Sequence, residues 1–64
     1  MKLTPIDIYD KEGNLTRREF FTSDGEFQFQ ALWDPKDEQT SEKRKEFRDW
    51  TTRMARNMKF EVEQ

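Results

Sequence analysis

The fold is decided by one stretch of the chain, residues 15–33, which reads LTRREFFTSDGEFQFQALW. Asp24-Gly25 near its centre is a strong signal for a hairpin turn, because glycine readily adopts the positive φ that such turns require. The residues on either side are rich in the aromatic and apolar side chains that are typical of strands. We therefore predict two antiparallel strands, residues 15–22 and residues 27–33, joined by a two-residue loop.

A third strand is predicted just before this hairpin, at residues 4–9. The sequence that follows it, Asp10-Lys11-Glu12-Gly13, matches a type I turn closed by a glycine in the left-handed region. Opposed residues of an antiparallel pair share one face of the sheet. The two predicted registers place these apolar side chains on one face, which we expect to form the core: Ile6, Ile8, Phe20, Phe27, Phe29, Ala31 and Trp33.

The predicted registers also pair specific residues. Across the second hairpin, Phe20 is expected opposite Phe29, and Arg18 opposite Ala31. Across the first hairpin, Ile6 is expected opposite Arg18. The charge of Arg18 therefore falls on the core side, where we predict a structural role: it either extends out at the margin of the sheet or pairs with an acid from the start of the helix.

A helix is predicted within residues 35–58, most firmly from Ser41 onward. Its start has two alternatives. In the first, Asp34 is the N-cap and Pro35 the first helical residue; in the second, Thr40 or Ser41 is the N-cap and the preceding residues form a separate turn. Positions at helical spacing form a stripe that we expect to pack on the sheet. They are Phe47, Trp50, Thr51, Met54 and Met58, with Ala55 at the margin.

The last residues predict one further element. Phe60 and Val62 alternate with charged residues, which indicates a short fourth strand parallel to the first and third; its pairing is left open by the sequence. The expected fold class is α+β: a three-stranded antiparallel sheet of two hairpins packed on one C-terminal amphipathic helix, with this optional strand after it. We expect one small domain over residues 1–64.

The composition argues against an enzyme. The chain has 64 residues with no cysteine and no histidine, so Cys/His zinc sites, disulfides, the usual general base and the strongest nucleophile are all missing. A domain this small can hardly enclose the pocket of roughly 300 Å³ or more that a substrate needs. The acidic turn at residues 10–14 is too short for an EF-hand calcium loop. We expect no catalytic residue, no metal and no cofactor.

The expected location is cytoplasmic, in a bacterial or phage-infected cell. No apolar run approaches the roughly 20 residues of a membrane span, and residues 1–5 lack the apolar core of a signal peptide. The lack of cysteine fits an intracellular protein. We therefore expect a soluble protein without membrane interactions.

Two surfaces are candidate binding sites. The first is the face of the sheet turned away from the helix, because tyrosine, arginine and large apolar groups are common at binding hot spots. Its candidate residues are Tyr9, Leu15, Arg17, Phe21 and Leu32. The second and weaker candidate is a basic helix face, since residues 35–59 carry a net charge of +3 against −3 for residues 1–34. Its candidate residues are Arg44, Arg48, Arg53 and Arg56.

These features favour a small binding or regulatory protein that acts on a protein partner, such as an accessory protein or inhibitor encoded by a phage or mobile element. One alternative is a nucleic-acid-binding domain. Three antiparallel strands followed by a helix resemble, in strand order alone, the small N-terminal domains of some phage and transposon integrases, which implies a sheet face laid on DNA; here that half of the chain is acidic. Another alternative is a structural subunit of an oligomer, such as a homodimer joined through an exposed sheet edge.

Overall fold

The computed structural model describes residues 1–63, which form four strands and one helix. Their order is β1 (Lys2–Tyr9), β2 (Leu15–Thr22), β3 (Phe27–Leu32), α1 (Ser41–Asn57) and β4 (Glu61–Val62). The strands make one sheet with the order β3-β2-β1-β4; β1, β2 and β3 are antiparallel, and β4 runs parallel to β1. The predicted α+β fold class is confirmed, and the fourth strand joins the edge formed by β1.

The turn between β1 and β2 forms as the sequence predicts. Gly13 has a φ of 84°, and its N–H donates to the carbonyl oxygen of Asp10 at 3.0 Å. Oδ1 of Asp10 accepts from the backbone N–H groups of Glu12 and Asn14, at 2.9 Å each. The carboxylate therefore stabilises the turn itself, which accounts for an aspartate at the first position of this turn.

The predicted register between β1 and β2 is wrong by one residue along most of its length. A β-bulge at Thr16 places Ile8 opposite Arg17 and Ile6 opposite Glu19. Because alternate residues of a strand point to opposite faces, a shift of one residue reverses the whole of β1. Ile6 and Ile8 therefore face away from the helix, contrary to prediction. The residues that β1 turns toward the helix are Leu3, Pro5 and Asp7.

The β2–β3 hairpin has a three-residue loop instead of the predicted two. The N–H of Thr22 donates to the carbonyl oxygen of Glu26 at 2.8 Å, and Gly25, the last loop residue, has a φ of 89°. A second bulge, at Gln28, compensates for the extra loop residue. Beyond that bulge the strands regain the predicted register.

The second bulge divides the two phenylalanines of β3 between the faces of the sheet. Phe29 lies opposite Phe20, and their rings stack with centroids 4.5 Å apart, as the predicted register requires. Phe27 lies opposite Phe21, and the two rings meet edge to face at 5.7 Å. The predicted core position of Phe27 is therefore wrong, because its ring belongs to the side of the sheet without the helix.

The core lies between the sheet and α1. Leu3, Phe20 and Ala55 are fully buried at its centre, and three half-buried side chains pack around them. These three are Phe29, Phe60 and Val62. Trp33 is also buried, as predicted, with its ring 5.2 Å from that of Phe47.

The second of the two predicted helix starts is the correct one. Thr40 is the N-cap of α1, and its Oγ1 accepts from the N–H of Lys43 at 3.1 Å. Asp34 begins a separate turn: its carbonyl oxygen accepts from the N–H of Asp37 at 2.9 Å, and its Oδ1 accepts from the N–H of Lys36 at 3.0 Å. This turn lets the chain cross from the end of β3 to the start of the helix.

The helix face that meets the sheet differs in part from the predicted stripe. Trp50 and Met58 are about half exposed, whereas Phe47 and Met54 are half-buried. The buried residues of α1 are Thr51, Thr52 and Ala55. Small hydroxyl-bearing residues occupy the contact because the sheet presents the polar side chain of Arg18 to it.

Arg18 is the buried charge that joins the sheet to the helix. It is 7% exposed, and its Nη1 lies 2.8 Å from the carbonyl oxygen of Arg48 and 3.0 Å from Oγ1 of both Thr51 and Thr52. Its Nε lies 3.2 Å from Oδ1 of Asp7, close enough to attract but not aligned for a hydrogen bond. The predicted structural role is confirmed, but the acid comes from β1 and not from the helix start. Burial lowers the pKa of the Arg18 guanidinium and Asp7 opposes that lowering, and the group stays charged at neutral pH.

We expect Arg18→Ala to lower the free energy of unfolding by about 3–5 kcal/mol, because it leaves the buried Oδ1 of Asp7 without a nearby cation and removes three hydrogen bonds to α1. Such a loss approaches the whole stability of a domain this small. Thermal unfolding followed by circular dichroism measures it. Arg17→Ala is the matched control, since this neighbour lies on the opposite face in a partly exposed ion pair that is worth at most about 1 kcal/mol. Equal, small losses in both variants would contradict the role given to Arg18.

The end of α1 is closed by a lysine in the left-handed region. Lys59 has a φ of 73°, and among residues 1–63 it is the only residue other than glycine with a positive φ. Its N–H donates to the carbonyl oxygen of Arg56 at 2.9 Å, and the N–H of Phe60 donates to that of Ala55 at 3.2 Å. This Schellman-type ending reverses the chain, so that Phe60 enters the core and β4 reaches β1.

We expect Lys59→Gly to raise the free energy of unfolding by about 0.5–1 kcal/mol, because glycine adopts this conformation without the clash of a Cβ atom. Asn57→Gly is the control, since glycine inside the last helical turn should lower stability by a few tenths to about 1 kcal/mol. Chemical denaturation of both variants compares the two effects. A lower free energy of unfolding for Lys59→Gly would show that the end of α1 does not depend on the left-handed conformation of residue 59.

Candidate functional site

The face of the sheet opposite α1 is the candidate site, and we call it the outer face. Strand pairing arranges its side chains in three rows that cross β1, β2 and β3. The rows are Ile8–Arg17–Leu32, Ile6–Glu19–Gln30 and Thr4–Phe21–Phe27. Opposed side chains in such rows have Cβ atoms about 4.5–5.5 Å apart, so these residues form one continuous surface.

Large apolar side chains dominate the outer face and remain accessible. Leu32 is 66% exposed, Phe27 50% and Ile6 45%, while Ile8 and Phe21 are half-buried between their neighbours. None of these five belongs to the core cluster beneath the helix. Every row therefore contributes at least one apolar group that water still reaches.

One ion pair sits among these apolar groups. Nε of Arg17 lies 3.0 Å from Oε2 of Glu19, two residues along β2 and on the same face. The two side chains are 39% and 19% exposed, so water screens the pair and its contribution to stability is small. Because the two charges balance, the centre of the outer face carries no net charge.

The structure brings together three of the five predicted surface residues. Arg17, Phe21 and Leu32 lie on the outer face as predicted. Leu15 does not, because it is 1% exposed, and both its backbone N–H and its carbonyl oxygen bond to the side chain of Gln39 at 2.9 Å. Tyr9 pairs with Leu15 as predicted and is exposed, but the alternation along β1 places it on the helix side.

Three outer-face residues were missed by sequence reasoning: Ile6, Ile8 and Phe27. Each was assigned to the core, and each moved to the opposite face because of a bulge. For β3 a signal was present, because Ser23-Asp24-Gly25 also fits a three-residue loop with glycine in the left-handed position. For the bulge at Thr16, the sequence contains no comparable signal.

The predicted basic helix face is not one uniform surface. Nε of Arg44 donates to Oε1 of Gln39 at 3.2 Å, and Arg48 is half-buried beside the sheet. Arg53 and Arg56 are exposed near the end of α1. Acids further divide the positive charge along the helix, through the pairs Lys43–Glu46 at 3.8 Å and Lys45–Asp49 at 3.2 Å.

A second apolar feature lies along α1. Trp50, Met54 and Met58 line an open groove of about 490 Å³ together with Arg53, Arg56 and Asn57. A smaller groove of about 290 Å³ lies between Leu32 at the end of β3 and Phe47 and Trp50 on the helix. In the described part of the chain, no group of three or more carboxylates is placed to hold a metal ion.

Comparisons with protein-family models, curated proteins and solved structures found no match for this chain. Within residues 1–63, no helix is long and apolar enough to cross a membrane. Any function must therefore be argued from the geometry of the outer face and of the surfaces beside it.

The division of β3 between two faces can be tested directly. We expect Phe29→Ala to lower the free energy of unfolding by about 3 kcal/mol, because its ring packs in the core. We expect Phe27→Ala to cost only about 1 kcal/mol, mainly through the lost edge-to-face contact with Phe21. Urea titration of both variants measures the difference, and similar losses would contradict the bulge at Gln28.

Proposed function

We propose that this protein is a small non-enzymatic binding protein whose outer face docks on an apolar surface of a protein partner. The observation that supports the proposal is the accessible apolar surface on the sheet face without the helix. Large apolar patches left exposed on small proteins commonly mark interaction sites.

The way the chain distributes its few apolar residues strengthens this argument. Hydrophobic residues make up only 31% of the sequence, yet five large ones lie on the outer face. Meanwhile an arginine and two threonines, Arg18, Thr51 and Thr52, are buried between sheet and helix. Exposing apolar side chains while burying polar ones lowers the free energy of unfolding. Such departures from the usual pattern of burial concentrate at functional sites.

The chemistry of the outer face indicates what kind of partner fits it. Ile6, Phe27 and Leu32 suit apolar or aromatic groups, while the Arg17–Glu19 pair offers a donor and an acceptor that gain strength when water is excluded. A phosphate backbone would need unpaired cations here, and Arg17 is already paired with Glu19. A protein surface is therefore the favoured partner, and nucleic acid is an outcome that the experiment must test.

The biological setting is part of the same proposal. We place the protein in the cytoplasm, in keeping with a chain without cysteine. A regulatory or inhibitory role, of the kind that phages and mobile elements encode in very small proteins, would need only one docking surface and no catalytic group. The outer face supplies such a surface.

The test compares capture by three forms of the tagged protein. Ile6→Ser with Leu32→Ser removes two exposed apolar groups from the outer face, whereas Tyr9→Ser, the matched control, removes an equally exposed side chain from the other side of the sheet. We expect the wild type and the control to capture the same protein from bacterial lysate, and the double variant to lose it at least about tenfold, as for hot-spot residues.

Nuclease treatment and a salt series distinguish the alternatives. A protein partner held by apolar contacts should survive both treatments. If the tagged protein instead recovers nucleic acid, in an amount that falls steeply as the salt concentration rises, the alternative of a nucleic-acid-binding domain would be favoured. Equal capture by the wild type and the double variant, with all three forms folded by circular dichroism, would rule out the outer face as the docking site.

A further inference from the structure

The two edges of the sheet are protected very differently. At the β1 edge, β4 covers the start of the strand: the N–H of Glu61 donates to the carbonyl oxygen of Met1, and that of Glu63 to the carbonyl oxygen of Leu3, at 2.9 Å each. Just beyond the part of β1 that β4 covers, Pro5 has no backbone N–H that could donate to another strand. At the opposite edge, β3 pairs only with β2 and has no strand on its other side within residues 1–63.

The sequence of β3 lacks the usual protection of an edge strand. Natural edge strands commonly carry charged residues or proline, which discourage pairing with another chain. The six residues of β3 read FQFQAL and include neither. The bulge at Gln28 distorts the start of the strand, but the part beyond it is regular.

The direction of the hydrogen bonds shows which backbone groups are free. The N–H of Trp33, just after β3, donates to the carbonyl oxygen of Thr16 on the β2 side at 3.0 Å. Because backbone groups alternate in direction along a strand, those of Ala31 also point toward β2. The N–H and carbonyl groups of Gln30 and Leu32 therefore point outward, away from the sheet.

Apolar side chains border this edge on both sides. Leu32 lies on the outer face at 66% exposed, and Trp50 lies on the helix side at 50% exposed. The two line one groove of about 290 Å³ together with Phe47. The rim of this groove carries the mixed charges of Asp34, Asp37, Lys43 and Glu46. A strand that paired with β3 would therefore cover apolar surface above and below the new hydrogen bonds.

We propose that β3 pairs with β3 of a second copy of this chain, antiparallel and about a two-fold axis. A two-fold contact requires a surface that is complementary to itself, and an antiparallel strand without charges meets that requirement because no like charges are brought together. Burying Leu32 and Trp50 would also add apolar contact to a core that is small for a stable domain.

This inference goes beyond the proposed function, because it uses the edge of the sheet and, apart from Leu32 at that edge, leaves the outer face free. Pairing through β3 would continue the sheet from one copy into the other. The two outer faces would then lie side by side on one extended surface, which would bind a repeated or symmetric partner with two docking sites.

Sedimentation equilibrium over about a hundredfold range of protein concentration tests the association. We expect the wild type to form dimers as concentration rises. Gln30→Pro removes one outward N–H from each copy and should weaken the dimer at least about tenfold. Gln30→Ala keeps that N–H and should dimerise like the wild type. Gln30→Lys leaves the backbone intact but places two like charges at the interface, so it should weaken the dimer even if the proline variant fails to fold.

Residue-resolved amide exchange locates the interface. The N–H groups of Gln30 and Leu32 should exchange fast in dilute samples and slowly in concentrated ones. A wild type that stays monomeric overturns the proposal. So does a dimer that Ile6→Ser with Leu32→Ser abolishes while Gln30→Pro and Gln30→Lys leave it intact, because the face and not the edge would then be the contact. Failure to capture a partner protein leaves these readouts unchanged.

Discussion

The rest of the structure depends on the attachment of Arg18 to the helix. No disulfide is available to this chain, and one guanidinium on β2 reaches three oxygen acceptors of α1. Its Cζ lies over the ring of Phe20, 5.5 Å from the centroid, so the guanidinium also contacts the apolar core. A buried charge tolerates little displacement, because any lost hydrogen bond leaves it unsatisfied in a medium of low polarity. The helix is therefore fixed in rotation as well as position, which directs the hydroxyls of Thr51 and Thr52 inward and the indole of Trp50 toward solvent.

The two bulges have a matching effect on the sheet. Each inserts one extra residue into a strand. Relative to the partner strand, the side chains beyond the bulge therefore lie on the opposite face of the sheet from the one that unbroken alternation predicts. At Thr16 this change of face brings Asp7 beside Arg18 and turns Ile6 outward. At Gln28 it turns Phe27 outward while Phe29 stays in the core. The Asp7–Arg18 ion pair thus depends on the bulge at Thr16, and the apolar outer face depends on both bulges.

The order and type of the elements could be predicted because local chemistry determines them. Gly13 and Gly25 mark the turns, and Thr40 is recognisable as an N-cap, so the strands and the helix fall close to their predicted limits. The faces of Ile6 and Ile8 could not be predicted, because a bulge depends on tertiary fit and an alternating pattern assumes there is none. For Phe27, the loop Ser23-Asp24-Gly25 offered a signal, but the bulge at Gln28 that accompanies it did not show in the sequence. Leu15 was misplaced by the same bulge at Thr16, which puts it on the face opposite Arg17. Trp50 was misplaced because the helix turns Thr51 and Thr52 toward Arg18 and leaves the indole half exposed. Arg17, Phe21 and Leu32 were placed correctly because β2 alternates regularly from Arg17 to Phe21 and the pairing of Arg17 with Leu32 keeps the predicted register.

The pairing of β4 with β1 has a consequence for how the chain folds. Backbone hydrogen bonds join Met1 to Glu61 and Leu3 to Glu63, so these contacts close a loop of nearly the whole described chain. Contacts between residues so far apart in sequence form slowly, because the ordering entropy must be overcome before they are gained. During synthesis, the β1 edge must stay open until residue 62 has left the ribosome. Until these contacts form, the core lacks Phe60 and Val62, and β4 does not cover the edge of β1.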